Sequence, residues 1–148
     1  MYDQNEIKSW LQKEIEFINT DMANTLNGRL KAALADINAE KQEITLSYPL
    51  EDWQVNGLGT LHGGISGAMM DLTMSIAVFA FSRETIPPTI TMTTNYIRPV
   101  PMKGSVLVTA RVNSIGKRNA TAYSEVIIPE SGKIACSGTG VYAIIKKQ

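Results

Sequence analysis

One apolar stretch, residues 65–81, constrains the fold of this chain more than any other segment. It contains a single ionisable side chain, Asp71, among Met, Leu, Ile, Val and Phe. A membrane-spanning helix needs about 20 consecutive, predominantly apolar residues, whereas this stretch is slightly shorter and is interrupted by Asp71. We therefore interpret it as the buried central helix of a globular domain, running from about Gly63 to Phe81 or Ser82. Because burying a carboxylate costs several kcal/mol unless something offsets it, Asp71 is a candidate functional residue.

The segments before this helix have two different periodicities. Apolar residues at three- and four-residue spacing predict an amphipathic N-terminal helix that ends near Asn27-Gly28. These residues are Ile7, Trp10, Leu11, Ile15, Ile18 and Met22. Residues 34–50 instead alternate in polarity, which predicts a hairpin with its turn at residues 38–41 and its better strand at residues 43–48. A polar, glycine-rich loop then covers residues 52–61.

Four strand-like segments follow Pro87 and Pro88, at residues 89–97, 105–115, 121–128 and 134–145. The turns between them are short, which favours an antiparallel meander. One long apolar helix and one such sheet define an α+β fold in which the helix lies across the sheet. The chain of 148 residues fits one domain, residues 1–148, to which residues 1–28 add an N-terminal helix.

The central helix has two kinds of face. The stripe that we expect to pack on the sheet consists of Ile65, Met69, Leu72, Ile76 and Phe79. Small residues on a second face allow another backbone or a slender ligand to approach closely. This second face consists of Gly64, Gly67, Ala68, Asp71 and Ser75. Because the remaining positions are also mostly apolar, the helix requires cover nearly all round, and we expect the chain to self-associate.

Composition argues against several classes of function. Fourteen basic residues balance fourteen acidic ones, whereas nucleic acids and anionic membranes attract proteins with a surplus of Lys and Arg. We therefore expect neither nucleic acid nor a membrane as a partner. Cys136 is the only cysteine and His62 the only histidine, so we expect no metal site. The polar N-terminus lacks the apolar core of a signal peptide, and we expect the protein in the cytoplasm.

Ser66 lies in Gly64-Ile65-Ser66-Gly67-Ala68, which nearly matches the nucleophile elbow of serine hydrolases. Ala68 replaces the final glycine of that motif, and no histidine follows Ser66 to act as its base. We therefore reject a serine triad. The lone Cys136 lies in a strand-like segment and is interpreted as a core thiol.

The start of the central helix is a candidate site for an oxyanion. His62-Gly63-Gly64 supplies backbone N–H groups that have no intrahelical partner and lie at the positive end of the helix dipole. Such donors stabilise negative charge that develops on a carbonyl oxygen, and a carboxylate in apolar surroundings is a stronger base or nucleophile. Asp71 lies about 10 Å further along the helix, too far for both groups to act on one carbonyl. The spacing therefore predicts that the carboxylate of each site comes from a second subunit.

The segment Asn56-Gly57-Leu58-Gly59-Thr60-Leu61-His62-Gly63-Gly64, followed by Asp71, resembles the signature of hotdog-fold acyl-CoA thioesterases of the PaaI-like and THEM2-like clade. The resemblance continues through Asn95-Tyr96-Ile97-Arg98-Pro99 and Gly138-Thr139-Gly140. It covers most of the chain from about residue 30 and leaves out the N-terminal helix. It implies a hotdog fold and hydrolysis of an acyl-CoA thioester to a free acid and CoA, with no metal or organic cofactor.

The resemblance also implies a role for each matching residue of the catalytic group. Asp71 is expected to be the general base or the nucleophile, and the Gly63 N–H is expected to bind the oxyanion. His62 and Asn56 are expected to orient the thioester, and Thr89 to position the water.

Substrate contacts and assembly follow from the same resemblance. Gly64 is expected to line the substrate site, and Arg98, Lys117 and Arg118 are candidate contacts to the phosphates of coenzyme A. Ordinary solvated charges are an equally good interpretation of these three basic residues. Family members build each site across a dimer interface and commonly pair dimers, so we expect a homodimer that assembles into a homotetramer.

Two other functions on the same fold stay open at this point. The first is a non-catalytic acyl-CoA binding or regulatory protein, against which Asp71 argues, because binding an apolar chain gains nothing from a buried carboxylate. The second is a hotdog dehydratase, which we disfavour because its usual histidine and acid arrangement differs. The identity of the acyl group is not determined by the sequence.

Overall fold

The computed structural model describes residues 1–83 and 87–146. Within these ranges the chain forms helix α1 (Gln4–Thr20), the short helix α2 (Leu26–Arg29), strands β1 (Ala33–Asn38) and β2 (Glu43–Pro49), helix α3 (Gly63–Ser82), and strands β3 (Thr89–Tyr96), β4 (Ser105–Ile115), β5 (Asn119–Ile128) and β6 (Lys133–Ala143). The predicted central helix and strands are confirmed, and the α+β fold with a long helix packed on an antiparallel sheet is the one expected.

The six strands form one sheet in the order β1-β2-β4-β5-β6-β3, and every neighbouring pair is antiparallel. The predicted meander is correct for β4, β5 and β6 but wrong for β3, which lies beside β6 at the sheet edge. The connection from β3 to β4 explains the difference. Residues 97–104 include Pro99 and Pro101 and do not form a tight turn, and a chain of this length can span the three strand spacings, about 14 Å, that separate β3 from β4.

The N-terminal helix is shorter than the sequence predicted. Helix α1 ends at Thr20 rather than near Asn27-Gly28, and the separate helix α2 follows. The new start is encoded locally, because the Thr25 hydroxyl accepts a hydrogen bond from the Gly28 N–H and caps α2. The predicted apolar periodicity is correct up to Ile18, because four side chains of α1, the last of them Ile18, are buried in the core.

Helix α3 packs on one face of the sheet and is also covered by α1. The predicted stripe is buried at Met69, Leu72 and Ile76, while Ile65 and Phe79 are half-buried. Phe79 stacks on Trp10 of α1 with ring centroids 6.4 Å apart, so it faces α1 rather than the sheet. Part of the apolar cover that the sequence assigned to self-association is therefore supplied by the chain's own N-terminal helix.

By length and composition alone, α3 is apolar enough to cross a membrane, with a mean hydropathy of 1.5. In the structure, 67% of this apolar window is buried inside the domain. A helix that is apolar all round is also what the core of a globular protein uses. The burial agrees with the interpretation of α3 as the core helix.

Strand β3 is an edge strand whose outer side has no partner within the described residues. Ile90 and Tyr96 on this strand remain 59% and 57% exposed. An unpaired edge offers a row of backbone donors and acceptors to another strand. Thr89 and Tyr96, the first and last residues of β3, contact Asp71 and Gly63 of helix α3.

Candidate active site

The first turn of α3 leaves one backbone amide without an acceptor. His62 caps the helix, because its Nδ1 accepts a hydrogen bond of 2.9 Å from the Gly64 N–H. Its carbonyl accepts from the N–H groups of Ile65 and Ser66, at 2.9 and 3.1 Å. Within the described part of the chain, the Gly63 N–H has no acceptor. Of the three N–H groups in His62-Gly63-Gly64, that of His62 donates to the Gln54 carbonyl and that of Gly64 donates to His62 Nδ1, so in the described residues the Gly63 N–H alone has no acceptor.

Tyr96 contacts the carbonyl side of Gly63. Its hydroxyl donates a hydrogen bond of 2.7 Å to the Gly63 carbonyl, and its ring lies against the glycine. A Cβ on Gly63 would lie 3.1 Å from the Tyr96 Cε1 atom, a contact tighter than most in folded proteins. Tyr96 belongs to the family-like segment Asn95-Tyr96-Ile97-Arg98-Pro99, but the sequence predicts no role for it, since a strand tyrosine carries no signal of which helix it contacts.

Asn56 organises the loop that precedes α3. Its Oδ1 accepts hydrogen bonds from the backbone N–H groups of Leu58 and Thr60, at 2.9 and 3.0 Å. Its Nδ2 donates a bond of 2.8 Å to the Thr60 hydroxyl. The amide has one further N–H that these bonds do not use. The predicted role in orienting a thioester therefore rests on that N–H and on the shape that Asn56 gives the loop.

A surface pocket of ≈ 380 Å³ lies beside the first turn of α3. Its lining includes Asn56, Leu58, Gly63, Tyr96, Arg98 and Cys136. The pocket brings together three of the residues predicted from the sequence, at positions 56, 63 and 98. Leu58, at its mouth, is 90% exposed. A small ligand can therefore contact the free amide, the loop amide and one cation in one place.

Cys136 in this pocket is a buried thiol, as the sequence predicted. Burial raises its pKa, and a hydrogen bond with Ser66 lowers the pKa only in part. A thiol held protonated is a poor nucleophile.

Asp71 is half-buried and is held by two hydroxyl groups. The Thr89 Oγ1 and the Tyr142 hydroxyl donate hydrogen bonds to its Oδ1, at 2.7 and 2.9 Å. The Tyr142 hydroxyl also lies 3.3 Å from the Asp71 backbone carbonyl. Among the described residues, no donor or cation contacts Oδ2. The structure thus brings together Asp71 and Thr89, two of the predicted catalytic residues, and leaves Oδ2 without a donor in the described part of the chain.

Tyr142 is a site residue that the sequence analysis missed. Burial and, secondly, the negative charge of Asp71 raise its pKa far above the usual value, so the phenol stays protonated and can donate. Gly140 provides space for it, because a Cβ there would lie 2.6 Å from the Tyr142 ring. The available signal was the pair Gly138 and Gly140 at alternate, inward positions of a strand, with an aromatic residue two positions after the second glycine.

The register of β3 explains why the hydroxyls meet at Asp71. Thr89 lies directly opposite Tyr142 on β6, and directly opposed residues of an antiparallel pair project to the same face. Tyr96 lies opposite Cys136 in the same way. A β-bulge at Ile90 shifts the alternation by one residue. Thr89 and Tyr96 therefore face α3 together, although seven positions separate them.

Gly63 and Asp71 stay apart within one chain. Eight residues of α-helix separate them, which corresponds to about 12 Å along the axis. Tyr96 contacts Gly63 and Thr89 contacts Asp71, so the two groups lie at opposite ends of β3. The separation predicted from the sequence agrees with the helix geometry.

The three basic residues that were predicted to contact the substrate do not all lie at the same end of β3. Arg98 lines the pocket at the Gly63 end. Lys117 and Arg118 are exposed in the turn between β4 and β5. The Arg118 carbonyl accepts from the Ile144 N–H, and the Pro88 carbonyl accepts from the Ala143 N–H, which places this turn at the Asp71 end.

Comparison with known proteins identifies the class of this chain. The sequence profile of the thioesterase superfamily matches residues 58–135, just over half of the chain. The protein therefore belongs to the thioesterase superfamily and is a thioester hydrolase of the hotdog fold. A curated relative, mouse acyl-coenzyme A thioesterase 13, is 24% identical over 102 residues, which cover 69% of this chain and 73% of the mouse protein.

Solved structures of the same fold include two with names from the predicted clade. Zebrafish thioesterase superfamily member 2 superimposes with a TM-score of 0.79 at 18% identity, covering 91% of this chain and 98% of that one. The PaaI protein of the Escherichia coli phenylacetic acid degradation operon gives 0.78 at 17%, covering 97% of each chain. A Streptococcus mutans protein bound to acetyl CoA gives 0.69 at 15%, covering 79% and 90%.

Proposed function

We propose that this protein hydrolyses an acyl-CoA thioester to the free acid and CoA, in a site shared between two copies of the chain. One observation carries the proposal: in the described residues, the Gly63 N–H has no acceptor while Asp71 Oδ2 has no donor. A free N–H can donate to the oxyanion that develops on a thioester carbonyl. A free carboxylate oxygen can attack the carbonyl carbon or activate a water that does so. The coenzyme A part of the substrate is supported by the name of the mouse relative and by the acetyl CoA complex.

The position of β3 supports a shared site. If β3 pairs antiparallel with β3 of a second copy, the Thr89 end of one strand lies beside the Tyr96 end of the other. Because Asp71 is bonded at the Thr89 end and Gly63 at the Tyr96 end, each carboxylate then approaches the free amide of the partner. A two-fold axis repeats the arrangement, which gives two equal sites per dimer. The pairing of dimers into a homotetramer and the cytoplasmic location stay predictions.

In the proposed reaction, the Gly63 N–H and the Asp71 carboxylate have different tasks. The thioester carbonyl oxygen accepts a hydrogen bond from the Gly63 N–H, and its negative charge grows as the carbon becomes tetrahedral. Asp71 Oδ2 either attacks this carbon directly, with water later cleaving the mixed anhydride, or removes a proton from an attacking water. In both routes the C–S bond breaks, the CoA thiolate leaves and takes a proton, and the acid is released.

The basic residues fit a substrate that carries phosphates. Arg98 belongs to the same pocket as Gly63, whereas Lys117 and Arg118 lie at the Asp71 end. In the proposed dimer these two ends meet, so cations of both chains surround one site. The phosphates of coenzyme A are the groups that such cations would contact.

Thiol release from acyl-CoA, followed with a thiol reagent, tests the proposal together with the Asp71→Asn variant. The amide oxygen of the variant can still accept from Thr89 and Tyr142, so we expect a folded protein. Turnover should fall on the order of 10³-fold or more, because the amide is neither base nor nucleophile. Wild-type turnover in the variant would show that Asp71 is not catalytic. Tight acyl-CoA binding without thiol release by the wild type, over short, long and aromatic acyl groups, would instead identify a non-catalytic binding protein.

A further inference from the structure

Tyr142 on β6 contacts the candidate carboxylate from the protein interior. The residue is 0% exposed, so it lies out of reach of a substrate. Its hydroxyl donates to Asp71 Oδ1 at 2.9 Å and lies 3.3 Å from the Asp71 carbonyl. Any effect of Tyr142 on the reaction must therefore pass through the neighbours of its hydroxyl, which are Asp71 and Thr89.

The two donors on Asp71 act on the same oxygen. With Thr89 alone, the carboxylate could rotate about its last bond and exchange its oxygens, because the threonine hydroxyl can follow either one. The second bond comes from a rigid, fully buried ring on the neighbouring strand, and the two donors together hold Oδ1 between β3 and β6. Oδ2 is then the oxygen that faces away from both donors.

We propose that Tyr142 is a positioning residue that gives the two oxygens of Asp71 different tasks, fixing Oδ1 in the protein and presenting Oδ2 to the thioester. The inference rests on the proposed hydrolysis and adds a residue to it. Strand β6 accommodates this task, because position 140 carries no side chain where a Cβ would lie 2.6 Å from the tyrosine ring. A buried hydroxyl needs a hydrogen-bond partner, and here the partner is an acid rather than only a backbone carbonyl.

Tyr48 provides a matched control. It is also 0% exposed, and its hydroxyl also bonds to α3, at 2.8 Å to the Thr73 hydroxyl and 3.3 Å to the Met69 carbonyl. Burial raises its pKa as it does for Tyr142. The two tyrosines therefore share residue type, burial and helix, and they differ in whether the hydroxyl reaches Asp71.

The experiment compares Tyr142→Phe with Tyr48→Phe in steady-state thiol release and in thermal unfolding. Both variants lose a buried hydrogen bond to α3, so both unfolding midpoints should fall. Only Tyr142→Phe should lose kcat, by about tenfold to a hundredfold, because the lost bond involved a charged group. Its KM should stay near that of the wild type, since Tyr142 does not contact the substrate.

The split between kcat and KM supplies a readout that a purely structural role would not change. In Tyr142→Phe kcat should fall at nearly constant KM, and in Tyr48→Phe both constants should stay near the wild-type values.

The outcomes separate this inference from the proposed function. A wild type that releases thiol, together with a Tyr142→Phe variant of unchanged kcat, would overturn the positioning role alone. Equal kcat losses in Tyr142→Phe and Tyr48→Phe would also overturn it, since the effect would then be structural. A wild type without thiol release would contradict the proposed function itself.

Discussion

Gly63 contributes to the site through its backbone alone, and its carbonyl and N–H groups differ in hydrogen bonding. Its carbonyl accepts from Tyr96, and its N–H has no acceptor within the described residues. His62 takes the next amide, at Gly64, through Nδ1. The cap therefore leaves the Gly63 amide available for the proposed oxyanion, and this proposal can be tested at a single atom.

The Gly63→Pro variant removes that N–H while keeping the helix start. Proline is well tolerated at the first position of a helix, and His62 already has the extended backbone that precedes proline. Gly63→Ala is the matched control, because it introduces the same Cβ beside Tyr96 but keeps the N–H. Relative to Gly63→Ala, the kcat of Gly63→Pro in thiol release should fall about 10²–10³-fold. Equal activities in the two variants would show that this amide does not bind the oxyanion.

Strand β3 connects the two halves of the site at the scale of secondary structure. Thr89 at its start contacts Asp71, and Tyr96 at its end contacts Gly63. Simple alternation along a strand would project these two residues to opposite faces, because seven positions separate them. The bulge at Ile90 brings them to the same face. The strand thus has an unpaired outer edge and a site contact at each end.

A lysine in the middle of β3 should weaken the proposed dimer. In Thr93→Lys, two like charges approach each other across the two-fold axis, which is destabilising. Thr139→Lys is the matched control, because Thr139 is exposed and lies directly opposite Thr93 on β6, one strand in from the edge. By light scattering, Thr93→Lys should shift toward monomer and lose thiol release in parallel, while Thr139→Lys keeps both. A monomeric Thr93→Lys variant with full activity would contradict the shared site.

The proposal that two chains share each site is tested by mixing two inactive variants. In a dimer of one Asp71→Asn chain and one Gly63→Pro chain, one site receives both damaged groups and the other receives neither. Random exchange of subunits should therefore restore about one quarter of the wild-type activity per total protein in a two-fold dimer. A site built within one chain would give no recovery on mixing. Exchange can be confirmed independently with differently tagged chains.

Much of this fold followed from patterns that span a few residues. The three- and four-residue spacing of apolar side chains located α1 and α3, and alternation located the strands, because burial on one face requires these periods. The helix start at His62-Gly63-Gly64 and the lone carboxylate Asp71 were likewise visible in the sequence. The end of α1 was placed too late, since Thr25 starts a new helix with its own cap.

The sequence by itself determined which segments are helix or strand and which residues carry the candidate chemistry, because those properties depend on neighbours within a turn or two. Only the tertiary structure decided that β3 lies beside β6, that a bulge at Ile90 turns Thr89 toward Asp71, and that Tyr142 meets the same oxygen. Strand order and register depend on pairing between residues that are 40 to 53 positions apart in β3 and β6, for which local periodicity carries no information. The contacts of Thr89 and Tyr142 with Asp71 follow from that pairing.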